Sequence, residues 1–267
     1  MKISFLTYDP IADLVELDRL MGLVASLGYH GIELTATHPL GYQVEDVVAL
    51  VEKHRLPVVS LLSGWSYGHE GLCLSSADAG VRARAVERLV EYVDYAAHLG
   101  RVVVVGLMQG LRTDEPDESV ANGRIADCLR QVAQKAIGHG VTVVLEPVNH
   151  LQVGFNHTAA AALAMVERVG SPGLGYMLDT IHMNIEERSL VETIRTHSRR
   201  ARHFHLCETN GGLFGGGGLD FPATLREIRD SGYEHFVSVK VYRGARREEA
   251  ARHSADFLKK CGVQFQD

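Results

Sequence analysis

Four segments that read as the ends of buried strands each deliver one polar residue: Glu146 in VTVVLEPVNH, Asp179 in GYMLDTIH, His205 in RHFHLCE and Lys240 in FVSVKVYR. A carboxylate behind a run such as VTVVL costs several kcal/mol if it is left unpaired in a closed interior, so these positions ask for a chemical reason. Successive members lie 33, 26 and 35 residues apart, each about one strand-plus-helix repeat, which sends the four side chains from consecutive strands into one mouth. Two carboxylates and an imidazole suit a divalent ion of hard to borderline character, manganese first, with magnesium, cobalt or zinc as alternatives. The competing arrangement pairs Glu146 and Asp179 with Lys240 as salt bridges that close the mouth. Three such residues in register favour a metal triad of Glu146, Asp179 and His205.

Weaker candidates surround these four. His182 follows Asp179 by three residues in DTIH, so it faces the same mouth as a substrate contact or a support for a ligand; the plainer alternative is a histidine at a helix start. His203 alternates with His205 and points the same way. Trp65 and Tyr67, after the strand PVVSLL, offer rings for the apolar face of a sugar or simple lid packing, and Glu208, Asn149 and His150 lie near the other strand ends. The loop LFGGGGLDF at 213–221 reads as a lid or turn before it reads as an anion cradle, and Cys207 reads as filler.

The elements that must position these groups alternate. Strands are expected at 2–7, 30–35, 57–62, 102–107, 142–147, 175–179, 203–206 and 236–241, separated by amphipathic helical stretches. In VRARAVERLVEYVDYAAHLG, residues Val81, Ala85, Leu89, Val93 and Ala96 recur every three to four positions and form one buried stripe. Gly28, Gly100, Gly140, Gly170, Gly232 and Gly262 are expected to stop helices in the left-handed conformation. Eight strand–helix alternations with strands apolar on both faces predict an α/β fold, a single (β/α)8 TIM barrel over residues 1–267. An open doubly wound sheet is the rival, but no GxGxxG follows the first strand.

A formal charge of −6 argues against non-specific nucleic-acid binding, which needs a positive surface. Four cysteines without CxxC spacing suggest neither a zinc knuckle nor a disulfide framework. No stretch approaches the roughly 18 uninterrupted apolar residues of a membrane span, and the N-terminus lacks a signal-peptide pattern, so the cytoplasm is the expected location.

The motifs LEPVNH, LDTIHMNIEE, HFHLCETN and FVSVKVYR, with GLCLSSADAGVRARAVERLVEYVDYAAHLG, resemble the xylose isomerase-like TIM barrels. That superfamily of sugar phosphate isomerases and epimerases includes ketose 3-epimerases, hydroxypyruvate isomerase and inosose dehydratase. The resemblance covers essentially the whole chain. It implies one divalent ion held by Glu146, Asp179 and His205, with His182 at the substrate. In ketose epimerases a glutamate on strand five and another on strand eight move a proton across a metal-bound keto sugar through an enediolate. This chain departs twice: Lys240 stands where the strand-eight glutamate belongs, and Gly211 stands near the place of a substrate-binding arginine. A lysine beside a divalent ion should have a lowered pKa, acting as a neutral base, or as a cationic anchor if it keeps its proton.

Four functions follow. The first is a metal-dependent isomerase or epimerase of a small keto sugar or keto acid, with Glu146 and Lys240 catalytic and His182, His203, Trp65 and Glu208 at the substrate. The runner-up is a lyase, a decarboxylase or dehydratase of a sugar-derived keto acid, with Lys240 as acid or anion anchor. The others are a non-catalytic sugar-binding relic and an apurinic-site endonuclease, for which no basic groove is evident. A homo-oligomer is expected by analogy alone.

Overall fold

A computed structural model describes residues 1–11, 13–38 and 41–266. The strands are β1 Lys2–Thr7, β2 Gly31–Thr35, β3 Val58–Leu62, β4 Val102–Val105, β5 Thr142–Leu145, β6 Leu174–Asp179, β7 His203–Cys207 and β8 Phe236–Lys240. The helices are α1 Leu14–Ser26, α2 Val44–His54, α3 Gly64–Glu70, α4 Ala79–Ala96, α5 Glu118–His139, α6 Ala159–Val169, α7 Thr180–Glu186, α8 Leu190–His197, α9 Phe221–Asp230 and α10 Arg247–Lys260. All strands run parallel and close in sequence order, with β1 paired to both β2 and β8. The chain is therefore the expected (β/α)8 barrel. Among the described residues, no helix is long and apolar enough to cross a membrane.

Alternation along each strand divides two interiors. In β7, Phe204 and Leu206 join the large apolar layer between barrel and helices, while His203 and His205 turn into the barrel. The barrel interior is itself split. Val104, Val144 and Met177 from β4, β5 and β6 make a small apolar cluster. The opposite wall carries Ser4, Glu33, Ser60, His203 and Ser238, all buried. Parallel strands bury both faces, so these polar groups must find partners in each other.

Two helices exceed the sequence expectation, and both shape the mouth. The aromatics after β3 lie on the short helix α3, and His182 sits in the short helix α7, which Asp179 caps by accepting the Ile181 backbone N–H. The α4 stripe is buried at Ala85, Leu89, Val93 and Ala96, while Val81 is only half-buried. Gly100 does not take the left-handed conformation; Arg101 does, with φ 64°. Gly100 is needed for closeness instead, because a Cβ there would lie 2.0 Å from the Val58 carbonyl oxygen.

Candidate active site

Strand register brings the four polar strand ends together. Asp179 pairs with His205 across β6 and β7, and Cys207 pairs with Lys240 across β7 and β8. Glu146 follows directly after β5, where its backbone N–H donates to the Val105 carbonyl and its own carbonyl accepts from Gln109 Nε2. A Cβ on Gly106 would lie 2.4 Å from Glu146 Oε2, so this glycine leaves room for the carboxylate.

The centre is a dense charge cluster. Lys240 Nζ donates to Asp179 Oδ2 at 2.6 Å and stands 3.7 Å from Glu146 Oε1. His205 Nδ1 is 3.2 Å from Glu146 Oε1 and 3.4 Å from Asp179 Oδ2, and its Nε2 is 3.1 Å from Glu33 Oε1. Carboxylates only accept, so both ring nitrogens of His205 carry hydrogen when these acids are ionised. Glu33 also takes His203 Nε2 at 2.9 Å, and Ser60 and Ser238 hydroxyls approach the same nitrogen at 3.4 and 3.3 Å.

Titration follows this geometry. Burial pushes the Asp179 and Glu146 carboxyls up, but the Lys240 ammonium and nearby histidines outweigh it and hold both below the usual carboxylate range. Burial likewise pushes Lys240 down, and Asp179 with Glu146 more than reverses that, so the lysine holds its proton well above the ordinary value. Of the two sequence alternatives, these carboxylates favour the protonated anchor; the lowered value belongs to a lysine beside a dication. His205 also rises, because Glu33, Asp179 and Glu146 overcome its desolvation. His182 falls, chiefly through burial, and Asn149 Nδ2 donates to its Nδ1 at 2.8 Å. That bond leaves the hydrogen on His182 Nε2, which faces Glu146 Oε1 and Asp179 Oδ2, each 3.7 Å away.

A cavity of about 230 Å³ opens over this cluster. Glu146, His182 and Lys240 form its polar floor, and Tyr8, Trp65, His69, Leu107 and Val148 contribute to its walls. Trp65 stacks on His69, with ring centroids 4.4 Å apart and planes within 8°. Asp179 and His205 lie fully buried and are not in the cavity lining.

Of the four expected substrate contacts, His182 and Trp65 line the cavity and His203 and Glu208 do not. His203 points inward as anticipated, but it binds Glu33 deeper in the barrel. Glu208 is buried, and its carboxylate accepts backbone N–H groups of Thr209, Gly215 and Leu219 at 2.8, 3.1 and 2.9 Å. It therefore anchors the glycine-rich loop and is not available to a ligand in the cavity. Tyr67 donates its hydroxyl to Asp114, and His150 pairs with Glu186. Glu33 was missed, although the signal was present: it is a carboxylate inside the apolar strand GIELT. The β2–β3 register shifts at Ile32/Glu33, which sets Glu33 beside Ser60.

Among the described residues, metal-ligating residue types gather in two groups, Glu33–His203–His205 and Glu146–Asp179–His182. The donor types of the implied triad suit a divalent ion, but their arrangement does not fit one. The Lys240 ammonium already contacts Asp179 Oδ2, and ligation through His205 Nδ1 requires loss of the hydrogen it shares with Glu146. Among the described residues, the fully enclosed polar atoms without a hydrogen-bond partner all lie outside this site.

Comparison with known proteins gives the same fold. The profile of the xylose isomerase-like TIM barrels matches residues 21–261. An L-ribulose 3-epimerase of Mesorhizobium japonicum is 31% identical over 230 residues, covering 85% of this chain and 76% of that one. A ketose 3-epimerase of Arthrobacter globiformis is 29% identical, covering 78% and 71%. A solved L-ribulose 3-epimerase superposes with a TM-score of 0.86 at 26% identity, over 98% of this chain and 94% of that one. A 3-keto-D-glucoside 4-epimerase from Escherichia coli, at 22% identity and TM-score 0.84, shares the fold. The chain belongs to the xylose isomerase-like TIM barrel family.

Proposed function

We propose that the protein is an epimerase of a small keto sugar, with Glu146 as the base and Lys240 as the cation that stabilises the developing charge. The observation that carries this reading is the pair itself: a carboxylate oxygen and an ammonium 3.7 Å apart in the floor of a sugar-sized cavity. The named relatives, epimerases of L-ribulose and other ketoses, support the reaction class. They give no support to the lyase alternative.

Glu146 is ionised at neutral pH and accepts the proton from the carbon beside the carbonyl. The electron pair of the broken C–H bond moves into a new C–C double bond, and negative charge collects on the former carbonyl oxygen. A fixed cation in a buried floor stabilises that oxyanion more than water would. Lys240 keeps its proton throughout; the same carbon takes a proton from a water on its other face, and Glu146 releases its own proton to solvent, which restores the starting state. His182 Nε2–H is placed to bind a sugar hydroxyl, and the Trp65–His69 stack to cover an apolar sugar face. Sequestering Asp179, His205 and Glu33 behind these groups keeps the floor rigid.

The test is proton exchange. The purified protein is incubated with L-ribulose, D-psicose and a panel of keto sugars in D2O, and carbon-bound deuterium and new epimers are followed by NMR. Exchange beside the carbonyl, abolished in Glu146→Gln, is the expected result. If no keto sugar exchanges at all, the epimerase reading fails.

A further inference from the structure

The two departures from the family pattern meet in space. Lys240 Nζ lies 6.0 Å from the Tyr8 ring centroid and 5.9 Å from that of Tyr242, while it binds Asp179 below. The two tyrosines pack together with centroids 5.1 Å apart. Tyr242 can occupy that position because residue 211 has no side chain: a Cβ on Gly211 would lie 2.5 Å from the Tyr242 ring. Gly211 also sits at φ 74°, and its carbonyl accepts the Tyr242 and Arg243 backbone N–H groups at 3.0 Å each. Glycine at 211 thus admits the aromatic ring, and the two rings offer the ammonium cation–π contacts in addition to its bond to Asp179.

The same atoms that would ligate a divalent ion are therefore joined around a cation supplied by the chain. Lys240 Nζ bonds Asp179 Oδ2 at 2.6 Å and stands 3.7 Å from Glu146 Oε1, while His205 bridges Glu146 at 3.2 Å and Glu33 at 3.1 Å. An added dication would need to displace Lys240 from Asp179 and remove the shared hydrogen on His205. We propose that the Lys240 ammonium, sheltered by Tyr8 and Tyr242, is the resident cation of this centre and that the protein works without a divalent metal. The metal claim stands on geometry alone, whereas its consequence for turnover rests on the epimerase reading above.

The experiment compares the parent with Lys240→Glu and Lys240→Met. Each protein is equilibrated with MnCl2, desalted and assayed for bound metal; Mn²⁺ affinity is measured by calorimetry and by the shift in melting temperature. The parent is expected to retain far less than one ion per chain and to melt at the same temperature with or without Mn²⁺. Lys240→Glu should bind one ion, with affinity raised by roughly 10–100-fold or more, the range by which groups around a metal site alter it. Should Lys240→Glu fail to fold with its added negative charge, the neutral Lys240→Met still removes the repulsion and should gain Mn²⁺ affinity over the parent. Tight stoichiometric Mn²⁺ on the parent, or equal affinity in parent and both variants, overturns the proposal. Proton exchange by the parent is then run with excess EDTA. Unchanged exchange supports the proposal; loss that Mn²⁺ restores overturns it. A metal-free parent that exchanges no keto sugar upholds the resident cation and refutes only the epimerase reading.

Discussion

Replacing Glu33 probes how much of the site depends on a residue that touches no ligand. Its carboxylate is fully buried and holds two imidazoles, His203 at 2.9 Å and His205 at 3.1 Å. Breaking a buried charged pair by removing one partner costs about 3–5 kcal/mol, because the other charge stays buried without compensation. Glu33→Ala should fall in that range, which for a chain of this size lowers the melting temperature by roughly 6–20 °C. Glu33→Gln should cost less: its amide oxygen can accept from His203, and its NH2 can donate to His205 Nε2 once that ring becomes neutral. The pH dependence has a definite sign. Burial raises the Glu33 pKa, but His203 and His205 outweigh it and set the folded value well below the ordinary 4.5. Its contribution is therefore full above the unfolded value and is lost as pH falls through the depressed folded one. Thermal melts of parent and Glu33→Gln should show a gap that narrows in acid below about pH 4.5 and also shrinks as pH rises past neutrality, because the parent keeps the His205 proton that the variant gives up. A Glu33→Ala melt within about 2 °C of the parent, less than 1 kcal/mol, would refute this account of the buried network.

Three further outcomes follow from the same geometry. Glu146→Gln should lower proton exchange by roughly 10²–10⁴-fold, with an unchanged circular dichroism spectrum; a smaller loss moves the base elsewhere. Gly106→Ala should push the Glu146 carboxylate aside and lower kcat by up to about 100-fold, since misplacing a reacting group by an ångström has that scale; an unaltered kcat contradicts the 2.4 Å clash. Glu208→Ala should free the 213–221 loop, seen as faster limited proteolysis there and a loss of roughly 2–5 kcal/mol in urea melts, as several charge-assisted bonds vanish together. Equal cleavage rates would show that the loop does not rely on that carboxylate.

Much of the fold is written locally in this chain. Two-sided apolar runs of four to six residues and glycine-ended amphipathic helices leave few arrangements other than a closed parallel barrel, and the repeat length carries polar strand ends to one mouth. Glu146, Asp179, His205 and Lys240 were legible for that reason: each breaks an apolar run at the edge where a barrel places its chemistry. Glu33 also breaks an apolar run, but in the middle of GIELT on β2 and not at the mouth, and its partners, His203 and His205, lie about 170 residues away. The sequence could not assign Glu208 either, since adjacency to β7 says nothing about a loop that folds back from 215–219 to bind it. Above all, sequence alone left Lys240 open as a neutral base, an anchor or a neighbour of a metal ion. Protonation is a property of the surroundings, and only the tertiary structure sets an ammonium 2.6 Å from Asp179, near Glu146 and beside a packed pair of tyrosine rings. Residue types along the chain specified which charges the barrel mouth contains; their mutual distances, fixed by closure of eight strands, decided which of them neutralise one another.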